Sequence, residues 1–284
     1  MKTILVPTDF SRYAKKALDY AISIAKKTNG RIILIHAHNM VYISPDVPMT
    51  YYSEELSAIE KEAKKKLNKL CTKINVSDKL QCETINKQGF AVDIILDTVK
   101  KKKVNLVVMG TKGASGMKEI FIGSNTAKVI SKASCPVIAV PERNTISDIK
   151  KIVYATDFHT SDITSLKQLA EIASVFKAKI SVIHIADKEY TTAEEEEYME
   201  KFTQKVKQKV NYKSISCKLL YASDIEKKLE EYIVKEPIDL LAVSTKHRNL
   251  IERFFGKSIT QKLAYHTKIP LIVFHYKQEP VVLI

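Results

Sequence analysis

With 284 residues, 45% of them hydrophobic and only 7 Gly and 8 Pro, the chain has the length and apolar content of two cored domains and is not disordered. Its net charge of +14, from 46 Lys and Arg against 32 Asp and Glu, admits either a polyanion partner or a lysine-rich surface. No apolar run approaches the roughly 18 residues that span a bilayer, so no membrane partner is expected.

The opening MKTILVPTDF meets an Asp at once and lacks a cleavable apolar stretch. Cys71, Cys82, Cys135 and Cys217 are scattered without CxxC spacing, which reads as reduced thiols and a cytoplasmic setting. The basic runs Lys64 to Lys66 and Lys100 to Lys103 fall in or beside predicted helices whose apolar faces lie elsewhere. They lack the Arg and aromatic interleaving of a base-stacking surface and read as solvated faces, so nucleic acid ranks last among partners.

In chain order, Ile4 to Val6 predicts a buried strand. Ala14, Ala17, Leu18, Ala21, Ile22 and Ala25 then mark one helix face, capped near Ser11 and stopped at Asn29-Gly30. Ile32 to Ala37 predicts a second strand, and Leu56, Ile59, Ala63, Leu67, Leu70 and Ile74 the next helical stripe. Leu80 to Ile85 alternates as an edge strand, followed by a helix over Val92 to Val99. Leu106 to Met109 is a fourth strand, Ser124 to Ala133 a helix and Val137 to Val140 a fifth strand. Uninterrupted apolar strands alternating with helices mean a parallel sheet covered on both faces.

The chain then repeats itself. ILVPTDF at 4–10 recurs as IVYATDF at 152–158, and RIILIHA at 31–37 as KISVIHI at 179–185, both 148 positions later. NLVVMGTK at 105–112 matches DLLAVSTK at 239–246, and CPVIAV at 135–140 matches IPLIVF at 269–274, both 134 positions later. Two constant offsets separated by one length change mean two copies of one domain. The missing length falls near segment 40–53, which is either a lid over the site or a plain surface loop.

Ligands of such sheets sit beyond the carboxyl ends of the strands, where strand order reverses, between strands 1 and 4 for the order 3-2-1-4-5. Strand 1 ends in Pro7-Thr8-Asp9 and strand 4 in Met109-Gly110, from which GTKGASGMKEIFIGSN runs to Asn125. Gly110, Gly113 and Gly123 let the backbone approach an anion closely, and Ser124 opens a helix whose free N–H groups favour phosphate.

The spacing G-x2-G-x9-G-[ST], a first strand ending in P-T-D and the closing SCPVIAVP resemble the ATP-binding branch of the universal stress protein family, over both halves of the chain. The resemblance implies an α/β protein of two tandem Rossmann-like (adenine nucleotide alpha hydrolase-like) domains, 1–145 and 146–284. Each would be a five-stranded parallel sheet of order 3-2-1-4-5. It implies Pro7, Thr8 and Asp9 at the adenosine end and Ala37 beside the adenine, with looser packing than a branched residue would give. Met109 and Gly110 would line the ribose side, and Gly113, Gly123, Ser124, Asn125 and Thr126 would hold the phosphates of ATP, or those of AMP or ADP, with Mg2+ bound through the phosphates. Structural alternatives stand beside these roles. Asp9 can cap the following helix, Thr8 can bond backbone at the strand end, Met109 can be core, and Lys112 and Lys118 can face phosphate or solvent. His36 recurs as His184, which favours a structural role in both copies.

In the second half Gly110, Gly113 and Gly123 become Ser244, His247 and Lys257, while Ser124 persists as Ser258 and Asp9 as Asp157. Gly256-Lys257-Ser258 looks like the end of a Walker A loop, but the glycine that loop needs is Ile251. This half therefore reads as a degenerate partner in a pseudo-dimer with one intact site; further association into a homodimer stays open, with the terminal PVVLI as an edge strand or a fold-back. The functional expectation is a nucleotide-dependent stress-response regulatory module. The alternatives are a module acting through protein partners without nucleotide, and a slow ATPase. No general base or positioned arginine is assigned, and the SGGxDS and HxGH loops of nucleotide-cleaving relatives of this fold are absent after strand 1.

Overall fold

The computed structural model describes residues 2–38, 49–113, 123–142, 148–187, 192–244 and 269–275. The chain divides into two compact units, Met1–Glu142 and Arg143–Ile284. The expectations for segment 40–48, Lys118, His247, Ile251, Lys257, Ser258 and the terminal PVVLI lie outside the described residues.

The first unit runs β1 (Thr3–Pro7), α1 (Arg12–Thr28), β2 (Arg31–His38), α2 (Met49–Ser77), β3 (Cys82–Gln88), α3 (Ala91–Lys101), β4 (Leu106–Gly110), α4 (Ser124–Lys132) and β5 (Val137–Val140). Its strands pair in parallel in the order β3-β2-β1-β4-β5. Order reverses between β1 and β4, where Ile4 sits opposite Leu106 and Leu5 opposite Val107. Ile4, Leu5, Val6, Val107 and Val108 are buried, as strands covered on both faces require.

Local signals set the element ends. The Ser11 side chain accepts from the Ala14 N–H and opens α1, and Asn29 closes it in the left-handed region at φ 48°. The buried face of α1 includes Ala14, Ala17, Leu18, Ala21 and Ala25, with Ile24 in the place expected for Ile22. β3 begins two residues later than its apolar alternation suggests. Leu80 donates its N–H to the Ile74 carbonyl at 3.4 Å and belongs to the closing turn of α2, so ladder pairing starts with Cys82 opposite Ile32.

The second unit repeats the plan with β6 (Lys151–Ala155), α5 (Thr160–Phe176), β7 (Lys179–Asp187), α6 (Thr192–Lys209), β8 (Ile215–Ala222), α7 (Ile225–Lys235), β9 (Leu240–Ser244) and β10 (Leu271–Phe274). Its parallel order is β8-β7-β6-β9-β10. Each unit is thus a five-stranded doubly wound sheet of order 3-2-1-4-5.

Candidate functional site

At the carboxyl ends of β1 and β4 the first unit opens a cavity of about 320 Å³. All eleven residues named from the sequence line it: Pro7, Thr8, Asp9, Ala37, Met109, Gly110, Gly113, Gly123, Ser124, Asn125 and Thr126. The sequence reading missed Ala14, Ile35, His38, Ala91 and Ile95, which complete the wall. Ala91 and Ile95 come from α3, reached through Gly89 at φ 135°, a conformation that favours glycine. Lys112 also lines the cavity.

The end of β1 is a tight corner. Thr8 donates its N–H to the Ile35 carbonyl at 2.8 Å, and its Oγ1 accepts from the Phe10 N–H at 3.0 Å. His36 Nδ1 bonds the Thr8 carbonyl at 2.7 Å, and the Phe10 ring lies against the imidazole with centroids 4.6 Å apart. His36 is therefore a brace of the corner, and its twin in the second unit does the same work. His184 bonds the Thr156 carbonyl at 2.7 Å, and the Phe158 ring lies 4.1 Å from it. Asp9 does not cap α1, since Ser11 holds that position; its Oδ1 accepts from the Ser11 N–H at 3.0 Å.

The three glycines differ in what they allow. A β-carbon on Gly110 would stand 2.9 Å from both the carbonyl carbon and oxygen of Tyr13. The space kept empty there is that of α1, so helix packing requires this glycine. A β-carbon on Gly113 would stand 2.9 Å from Asp9 Oδ2. On Gly123 it would meet nothing nearer than 3.6 Å. Gly123 caps α4 without a side-chain hydrogen bond, and the N–H groups of Ser124, Asn125 and Thr126 find no partner among the described residues. An anion at this helix start would meet three free donors and the positive end of the helix dipole. The Thr126 hydroxyl is not available to it, because it is buried and donates to the Gly110 carbonyl at 2.9 Å. Among the described residues there is no cluster of His, Cys, Asp or Glu able to hold a metal ion.

The corresponding place in the second unit has a different interior. Ala14 is replaced by Asp162, fully buried, whose Oδ1 accepts from the Tyr154 hydroxyl at 2.9 Å and whose Oδ2 accepts from the Thr156 hydroxyl at 2.6 Å. Burial, then the charge of Asp162, hold the Tyr154 phenol well above its ordinary value. Ser244, in the place of Gly110, is 1% exposed and its hydroxyl has no partner among the described residues.

Doubly wound sheets in duplicate, with a cavity at the strand-order reversal and an open helix start after β4, define a tandem Rossmann-like α/β protein. The universal stress protein family model matches residues 1–141 and 148–275, and the chain belongs to that family. A universal stress protein of Methanocaldococcus jannaschii is 34% identical over 145 residues, covering 49% of this chain and 81% of that protein. A Synechocystis universal stress protein is 24% identical over 96% of this chain and 100% of its own length, so it matches both units. The crystal structure of a universal stress protein from Archaeoglobus fulgidus matches 96% of this chain and 98% of its own, with a TM-score of 0.71 at 18% identity, a likeness of fold. Among the described residues no helix is long and apolar enough to cross a membrane.

Proposed function

We propose that the cavity of the first unit binds an adenine nucleotide, ATP or its shorter forms ADP and AMP, and that the chain works as a nucleotide-dependent regulatory module in the response to stress. One observation carries this reading: the ends of β1 and β4 and the start of α4, whose first N–H groups have no partner among the described residues, line a single cavity. The α4 end supplies donors and positive potential for phosphate. Ile35, Ala37, Ala91 and Ile95 give the cavity an apolar stretch of wall suited to a base. Asp9 also lines the cavity, and its carboxylate is an acceptor suited to a ribose hydroxyl. Mg2+ would be held through the phosphates.

Occupancy regulates by favouring whichever conformation of the first unit binds nucleotide better. The second unit is a nucleotide-free partner domain on this reading, the whole acts in the cytoplasm, and hydrolysis is not part of its task. Denaturing the purified protein and identifying released nucleotide by mass, together with calorimetric titration of ATP into wild type and Gly113→Val, tests it. Saturable binding by wild type that Gly113→Val abolishes is expected. No released nucleotide and no heat of binding would overturn it.

A further inference from the structure

The two strand-end corners share the backbone and threonine bonds that make the turn. Thr8 N–H to Ile35 is 2.8 Å and Thr156 N–H to Ile183 is 2.9 Å. Phe10 N–H to Thr8 Oγ1 and Phe158 N–H to Thr156 Oγ1 are both 3.0 Å. Phe10 and Phe158 both take positive φ, 63° and 59°. Within this common frame the fate of the threonine hydroxyl hydrogen differs. The Thr156 hydroxyl, already accepting from Phe158, gives its own hydrogen to Asp162. The Thr8 hydroxyl accepts from Phe10 in the same way, but its hydrogen has no acceptor among the described residues, because Ala14 stands where the carboxylate would be. Thr8 and Ala14 both face the cavity.

We infer that Asp162 is a built-in substitute for ligand: its carboxylate takes, in the second unit, the place that a hydrogen-bond acceptor of the nucleotide takes beside Thr8 and Ala14 in the first. The inference rests on the nucleotide reading above and adds to it a polar subsite and the reason the second unit has no use for one. Asp162 occupies that subsite and satisfies both nearby hydroxyls, Tyr154 and Thr156. Tyr154 is itself part of the substitution, since the first unit has Val6 at that position and, of this pair of hydroxyls, keeps the one on Thr8. A fixed buried carboxylate also repels an anionic ligand. The second unit is thereby self-liganded and insensitive to nucleotide.

Two measurements on the full chain test this. In the first, Asp162→Ala and wild type are melted in rising sodium formate, with sodium chloride at matched ionic strength as the control. The variant is expected to melt lower and to regain stability in formate but not in chloride, as the small carboxylate enters the vacated place, while wild type shows no such difference. A variant that melts like wild type, or one that formate does not restore, overturns the inference. The second measurement is ATP titration of Ala14→Asp and of the double variant Val6→Tyr, Ala14→Asp, which transplants the second unit's arrangement into the first. Both are expected to lose about tenfold or more in affinity while remaining folded by circular dichroism. Unchanged affinity overturns the inference. A wild-type chain that binds no nucleotide sinks the function proposed above, whereas the formate series still decides whether Asp162 fills a ligand-shaped vacancy.

Discussion

Gly113 and Asp9 stand so close that a β-carbon on the glycine would lie 2.9 Å from the carboxylate Oδ2. The contact joins the end of β1 to the loop after β4, across the strand-order reversal.

Gly113→Ala therefore displaces the Asp9 carboxylate rather than any backbone atom. ATP affinity is expected to fall about tenfold, with stability within about 1 kcal/mol of wild type, since the atom that must move ends a flexible side chain. In an Asp9→Ala background the same substitution is expected to cost less, because the clash is gone. A double-mutant cycle by calorimetry reads this coupling directly. Strict additivity would show that the two positions act separately.

Gly110→Ala is a stability variant. Its β-carbon meets the Tyr13 carbonyl, which α1 can relieve only by moving, so a loss of about 1–3 kcal/mol is expected in chemical denaturation. Gly123→Ala, whose β-carbon finds ordinary contacts, is expected to change stability by only about 0.5 kcal/mol. The two variants measured side by side separate a glycine required by helix packing from one that the packing does not require.

The Tyr154 phenol gives a pH signature to the second unit. Its pKa is raised in the fold by burial and then by Asp162, so the native state keeps the proton longer than the unfolded chain. The unfolded chain releases that proton near a pH of about 10, so this contribution is complete below that pH and is lost as pH rises above it. Tyr154→Phe is expected to flatten the fall in stability above pH ~10, at up to about 1.4 kcal/mol per pH unit for one group. Equal alkaline slopes for the two proteins would contradict this. The variant also removes one donor to Asp162, so it is expected to be less stable than wild type at neutral pH.

Cys135 is buried, and burial pushes its thiol up to about 12. Thiolate is scarce at neutral pH, so alkylation by iodoacetamide in the native chain is expected to be slower than in denaturant by orders of magnitude. Mass spectrometry of the cysteine peptide follows it, and rapid native labelling would refute the burial argument.

The strands, the helix ends and the glycine positions after β4 were legible in the sequence because they rest on local chemistry, while the order of the sheet and the full set of residues around the cavity came from the family resemblance. Apolar runs set the strands, Ser11 and Asn29 set the ends of α1, and Gly113 and Gly123 follow β4 at a spacing that turns carry. What was not legible is what comes from contact across the fold. The residues on α3 facing the cavity, Ala91 and Ile95, are ordinary helix residues until the turn at Gly89 aims them. Gly110 carries the same letter as its neighbours in the motif, yet Tyr13, nearly a hundred positions earlier in the chain, is what makes it necessary. Asp162 lies in the first turn of α5 and has the look of a surface acid at a helix N-terminus, because only the folded chain brings Tyr154 and Thr156 to it.

Phe10 and Phe158 hold a backbone conformation that a bulky residue enters at a cost of about 1–2 kcal/mol. Each ring recovers part of that cost against its histidine partner. The bend turns the chain sharply just after Asp9 and Asp157. Duplication of the domain thus handed both descendants a self-sufficient keystone, and left the second free to change its interior without having to learn to fold again.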